Sequence, residues 1–144
     1  MICINHINFK MGNYVIDFEL RPPVTIIGGD TGTGKSLFWR WLTVQVKLPE
    51  NRNIFEDIKL LNFSSDIDDI VNKKNRLFVI DQADVLLQGS PDIVEHIALD
   101  VDNEYVIMCR SSFDFDVSPN HYATIVEANG VFTLNYRFNV KGWY

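Results

Sequence analysis

The sequence predicts an α/β fold: a three-layer sandwich around a mostly parallel central sheet, with an antiparallel hairpin at the N-terminal end and a second hairpin at the C-terminal end. Three observations predict it. A short apolar run, Val24-Thr25-Ile26-Ile27, leads into the glycine-rich octapeptide Gly29-Asp30-Thr31-Gly32-Thr33-Gly34-Lys35-Ser36, and an apolar helical pattern follows from Leu37 to Val46. Further apolar runs alternate with helical patterns, as strands joined by crossover helices require. The chain opens and closes on alternating segments broken by tight-turn residues.

Composition bounds the problem. The chain has 144 residues, so one domain spanning 1–144 is expected. With 47% hydrophobic residues it can bury a substantial core. Its net charge of −6 argues against a broad basic face for nucleic acid and leaves room only for a local one. Cys3 and Cys109 are the only cysteines, too few for a disulfide framework or a four-ligand zinc site. A reducing cytoplasm is the expected setting. The first residues lack a basic n-region and a long apolar core, and no stretch approaches the roughly 18 apolar residues of a membrane span.

The octapeptide fits G-x-x-x-x-G-K-[ST] at every fixed position, the pattern of a phosphate-binding P-loop. The chemistry asks for these residue types. Glycines let the backbone curl until successive N–H groups converge on an anion. The following helix presents its leading N–H groups and positive dipole end to the same point. Gly29, Asp30, Thr31, Gly32, Thr33 and Gly34 are thus expected to wrap the phosphates. Lys35 adds a point charge for the outer phosphates, and the Ser36 hydroxyl completes the shell of a magnesium ion. A chance glycine-rich turn lacks the strand before and the helix after, and both are expected here.

Upstream, Ile2 to Phe9 alternates and reads as a strand, Lys10-Met11-Gly12-Asn13 as a turn, and Tyr14 to Leu20 as the returning strand. Arg21-Pro22-Pro23 closes this hairpin, because proline cannot donate to a ladder. The helix after the loop carries Leu37, Phe38, Trp39, Trp41, Leu42, Val44 and Val46, apolar nearly all round. Such a helix is buried on more than one side or keeps a face for a partner. Trp39 and Trp41 flank Arg40, a pattern that also serves base stacking. Packing against the sheet is the favoured reading.

Leu48 to Asn53 reads as a polar loop and Ile58 to Phe63 as a strand. Ser64-Ser65-Asp66 offers an N-cap to a short helix containing Ile67, Ile70 and Val71. Asp66, Asp68 and Asp69 are read as complementing the dipole of that helix rather than as metal ligands.

Arg76-Leu77-Phe78-Val79-Ile80-Asp81 is the second informative stretch. A strand buried on both faces delivers one carboxylate at its C-terminal end, where open α/β sheets place their ligands. Asp81 is the expected holder of magnesium, with Ser36. Gln82 follows, a neutral amide that can orient a water but is a poor proton acceptor. Asp84 is a substitute base or, as the favoured reading, the cap of a helix beginning near Val85.

Pro91 to Leu99 reads as a helix with proline at its start, and His96 as a surface residue on it. Tyr105 to Cys109 is a buried strand followed by Arg110-Ser111-Ser112. Arg110 or Ser111 either senses the γ-phosphate and positions water, or, for Arg110, pairs with an acidic neighbour. Phe113 to Asn120 is a polar-aromatic loop. His121 to Glu127, Ala128-Asn129-Gly130 and Val131 to Phe138 form the closing hairpin, announced by Asn-Gly. The tail Lys141 to Tyr144 carries no signal.

The order of these segments resembles a small P-loop NTPase of the additional-strand class, the group holding AAA+ proteins, ABC and SMC/RecF-type ATPases and helicases. The likeness is specific at Gly29–Ser36, the Walker A position, and at Leu77–Asp81, the Walker B position. It implies that the Tyr105–Cys109 strand lies between the strands carrying those two motifs. It also places Gln82 where many such ATPases have a water-activating glutamate. The N-terminal hairpin is similar to the start of ABC and SMC/RecF heads, but no LSGGQ-like signature precedes Asp81, and the interval from Lys35 is too short for their helical insertion. Asp81-Gln82-Ala83-Asp84 is similar to the D-E-A-D motif of RNA helicases without its glutamate. The spacing fits AAA+ proteins better, although a hairpin stands where their helical lid would be. A nucleotide kinase is also of this size, but no arginine-rich lid segment is present.

Together these readings lead to the expectation of a cytoplasmic protein that binds ATP or GTP with magnesium and hydrolyses it slowly. Lys35, Gln82, Arg110 and Ser111 would act in catalysis. The alternative is a nucleotide-gated interaction module, or a subunit of a larger assembly, whose partner is another protein or a second copy of the chain.

Overall fold

The computed structural model describes residues 4–29, 34–62, 64–110 and 119–136. Asp30 to Thr33 of the glycine-rich loop lie outside the described residues, as do Ile2, Cys3, Phe63, Ser111, most of the Phe113–Asn120 loop, Phe138 and the tail.

The N-terminal hairpin is β1 (His6–Met11) and β2 (Tyr14–Glu19), paired antiparallel through Gly12 and Asn13. Its start is shifted toward the C-terminus of the expected strand, because Ile7 and Phe9 are the side chains that reach the core. β3 (Val24–Gly28) is buried along its length up to Gly28 and leads to the loop. The helix α1 (Lys35–Gln45) follows it. The segment expected as a polar loop instead forms a 3₁₀ turn, Pro49–Asn51, and a short helix α2 (Arg52–Phe55). Two contacts explain the difference. The Asn51 amide donates to the Gln45 side-chain oxygen at 2.7 Å, and Phe55 is buried edge-on against Phe9.

β4 (Ile58–Leu61) leads to α3 (Asp69–Asn72). The Asp66 carboxylate accepts the Asp68 N–H at 3.0 Å, so its capping bond forms before the helix begins. β5 (Leu77–Ile80) is buried throughout and ends at Asp81. α4 (Ala83–Leu86) begins earlier than expected, with Gln82 at its N-cap, so Asp84 sits inside the first turn and does not cap. α5 (Pro91–Leu99) has the expected bounds, and β6 (Glu104–Met108) is buried at every residue. β7 (Tyr122–Ala128) and β8 (Val131–Tyr136) pair antiparallel. Asn129 and Gly130 both take positive φ, as a two-residue turn matched to strand twist requires.

All eight strands form one mixed sheet in the order β1-β2-β8-β7-β3-β6-β5-β4. From β7 to β4 each neighbouring pair is parallel. β6 lies between β3 and β5, the expected position of the Tyr105–Cys109 strand. β7 does more than close a hairpin, since it also pairs in parallel with β3. β8 then pairs in parallel with β2 and joins the two hairpins into one wing.

Strand alternation sends side chains to two cores. Ile27, Val79 and Met108 pack with Phe38 and Leu42 of α1 and Phe55 of α2. Ile26, Ile80 and Ile107 pack with Ile70 of α3, Ala83 of α4 and Ile97 of α5. Helices therefore cover both faces of the parallel strands. The first core continues into the hairpin wing through Ile16, Phe18, Ile125 and Phe132. This wing is why α1 is apolar on more than one side. Trp41 stacks on Tyr14 and meets the edge of Phe132, which supports packing over base stacking for that tryptophan.

Candidate functional site

The parallel strands β3, β5 and β6 end at one edge of the sheet, and the sequence motifs meet there. β3 ends at Gly28, and Gly29 follows with φ +124°. Gly34, at the N-cap of α1, has φ +99°. The positive φ favours glycine there, and a Cβ would lie 3.2 Å from Cγ2 of Ile125, tight enough that Ile125 would have to give by a few tenths of an ångström. The Gly34 carbonyl accepts the first helical bond from the Phe38 N–H at 3.0 Å.

The leading N–H groups of an α-helix have no carbonyl partner within the helix. Gly34 has no side chain to cap them, and the first turn of α1 contains no acidic residue. The positive end of this helix dipole is therefore not offset by a carboxylate of its own first turn. The Lys35 ammonium folds back and donates to the Gly29 carbonyl, which closes the described ends of the loop on each other.

Ser36 and Asp81 line one open cleft of about 420 Å³ with Trp39, Arg40, Thr43 and Val44. Asp81 is reached from β5, whose ladder to β4 continues with the Asp81 N–H donating to the Leu61 carbonyl at 2.8 Å. Burial pushes the Asp81 carboxyl above its ordinary value. The Gln82 N–H and the Lys35 charge pull it down, and the Asp84 charge pushes it further up. A cation beside Asp81 would favour the carboxylate in the same way as Lys35.

The structure brings Lys35, Ser36 and Asp81 together, as expected. Gln82 is exposed, and its backbone is left-handed at φ 51°, ψ 50°. Arg110 leaves the C-terminal end of β6 at the same edge of the sheet. It is exposed and does not line the cleft, and among the described residues no carboxylate pairs with it. Trp39, for which packing is the favoured reading over base stacking, lines the cleft together with Thr43 and Val44, which carry no site reading in the sequence. Their signal is helical spacing from Ser36: positions 36, 39, 40, 43 and 44 form one stripe.

A larger groove, about 520 Å³, runs past Asp92, Glu95, His96 and Leu99 to Asp100, at the opposite end of β6. Its Asp100 is already engaged, accepting bonds from the Tyr105 hydroxyl, the Asn103 amide and the Asp102 N–H. Asn103 in turn donates to the Lys73 carbonyl and accepts from the Arg76 N–H. That network ties α3, β5 and β6 together.

No group of three or more His, Cys, Asp or Glu side chains is placed to hold a metal among the described residues. No helix among them is long and apolar enough to cross a membrane. The sequence matches no protein-family model, and no curated protein resembles it at a significant level.

Proposed function

We propose that this protein binds a nucleoside triphosphate, ATP or GTP, with magnesium, and hydrolyses it slowly as a small P-loop NTPase. The observation that carries the reading is the shared cleft of Ser36 and Asp81 at a helix N-terminus whose N-cap, Gly34, has no side chain, with Lys35 close enough to act on the Asp81 carboxyl. The donor set fits the ion. A hydroxyl and a carboxylate are the hard oxygen ligands that magnesium takes, and neither a thiol nor an imidazole competes in the cleft. The positive φ of Gly29 and Gly34 at the two described ends of the loop fits a backbone that curls around an anion.

In this reading the backbone N–H groups from Gly29 to Gly34 and the first turn of α1 cradle the phosphates. Lys35 releases the Gly29 carbonyl and turns to the outer phosphates. Ser36 and Asp81 hold magnesium, which neutralises developing charge on the phosphate oxygens when bound. Gln82 orients the attacking water, and Arg110 or Ser111 meets the terminal phosphate. Turnover is slow because a neutral amide accepts a proton poorly.

The exposed amide of Gln82 also supports a second reading, a nucleotide-gated interaction module or assembly subunit without useful turnover. Calorimetry with ATP-magnesium, with phosphate release followed on the same sample, tests both. Binding with turnover supports the NTPase. Binding without turnover, together with a nucleotide-dependent change of mass in solution, supports the module. No binding of ATP or GTP removes both.

A further inference from the structure

We propose that the outward stripe of α1 is a second ligand subsite that takes a nucleobase with an attached phosphate, the base against Trp39 and the phosphate on Arg40. The two tryptophans that flank Arg40 in sequence part company in the structure. Trp41 is occupied by Tyr14 and Phe132, with ring centroids 5.6 Å away in each case. Trp39 also packs in part against the core, but no aromatic ring among the described residues covers it, and its remaining surface lines the cleft with Arg40, Thr43 and Val44. These residues share a helix face with Ser36, and Phe38, Leu42 and Gln45 form the separate stripe that fills the core.

Each lining residue selects part of the ligand. Indole binds a flat ring by stacking, without demanding a particular base. The Arg40 guanidinium is exposed, among the described residues no carboxylate pairs with it, and its fork matches phosphate oxygens. The Thr43 hydroxyl donates to the Trp39 carbonyl at 2.7 Å, which leaves its lone pairs to accept an N–H from a base edge. Val44, 44% exposed, adds apolar surface. Asp81 at the other end repels an anion and so directs the phosphate to Arg40. The whole cleft, Ser36 and Asp81 included, has a volume of about 420 Å³, within the range of small-molecule sites. This subsite shares its cleft with Ser36 and Asp81 of the triphosphate reading, but its own contacts, Trp39 and Arg40, lie outside the glycine-rich loop, so the two can be separated by experiment.

The test is metal-free calorimetric titration with adenosine monophosphate and, separately, with an oligothymidylate of about ten nucleotides. It uses the wild-type chain and the Lys35→Ala, Arg40→Glu and Trp39→Leu variants. Arg40→Glu changes an exposed side chain and keeps the test valid if Trp39→Leu does not fold. Binding that survives Lys35→Ala and weakens about tenfold or more in Arg40→Glu supports the subsite. Response to the mononucleotide identifies a free nucleotide as the source, and response to the oligonucleotide alone identifies a single strand. Binding of neither probe, binding indifferent to Arg40→Glu, or binding abolished by Lys35→Ala overturns it. The triphosphate reading fails separately, by the absence of any ATP-magnesium effect on the wild-type chain.

Discussion

Trp41 of α1 stacks on Tyr14 of β2 with ring centroids 5.6 Å apart and ring planes inclined by 25°. The contact ties the helix that follows the glycine-rich loop to the N-terminal hairpin, far from it in sequence. Phe132 of β8 completes the cluster, edge-on to Trp41. The position of α1, and hence of Lys35 and Ser36 at its start, depends on the wing as well as on the parallel strands.

Aromatic pairs of this kind contribute beyond the area they bury. A double-mutant cycle with Tyr14→Leu and Trp41→Leu, read by denaturant unfolding, is expected to give a coupling of about 1 kcal/mol. Strictly additive effects would show that the two rings merely lie side by side.

In the proposed site, Lys35→Ala removes the cation that would face the phosphates. ATP-magnesium should raise the melting temperature of the wild-type chain and leave that of the variant unmoved. Asp81→Asn should lose the magnesium-dependent part of the shift and keep a weaker, metal-independent part. An undiminished shift in Lys35→Ala would refute the site.

Gln82 holds a left-handed backbone at φ 51°, a conformation that costs a non-glycine residue about 1–2 kcal/mol. Gln82→Gly is expected to stabilise the fold by about 1 kcal/mol, after allowance for the greater freedom of glycine in the unfolded chain. Gln82→Val should destabilise it. If Gln82 orients water, the glycine variant will also release phosphate more slowly, so stability and turnover move in opposite directions. Unfolding curves and phosphate-release rates on the same preparations check both.

Glu104 is buried at the start of β6, where its carboxylate accepts the Ile4 N–H at 2.7 Å. Burial pushes its pKa above the ordinary 4.5, and the Ile4 bond only partly opposes this. The folded chain therefore holds the proton more tightly than the unfolded chain does. Its contribution to stability is full below about pH 4.5 and is lost as pH rises through the folded value. Glu104→Gln keeps an oxygen for Ile4 and carries no charge. The variant should melt higher than the wild type at neutral pH, with the difference closing as pH falls through the raised folded value toward 4.5. A constant difference across that range would contradict the argument.

The sequence by itself determined the strand before the glycine-rich loop and the helix after it. β3 and α1 were legible because a short apolar run and a periodic apolar pattern flank Gly29 and Gly34 directly, so the signal is local, while Asp30 to Thr33 lie outside the described residues. β5 ending at Asp81, β6 and α5 were legible because burial on two faces or on one helical stripe leaves a continuous or periodic apolar record. The closing turn was announced by Asn129-Gly130, whose backbone tolerates positive φ.

Only the tertiary structure decided what those elements meet. No local signal told that β7 pairs in parallel with β3 or that β2 pairs with β8, because strand partners are chosen by contacts distant in sequence. The helix α2 hangs on Asn51 reaching Gln45 and on Phe55 reaching Phe9, so a stretch of polar residues read alone as a loop. Trp39 and Trp41 are the same residue type two positions apart on an apolar helix, and the sequence could not separate them. The hairpin wing did so, by stacking Tyr14 and Phe132 on Trp41, while Trp39, only partly packed on the core, keeps surface beside Arg40, Ser36 and Asp81.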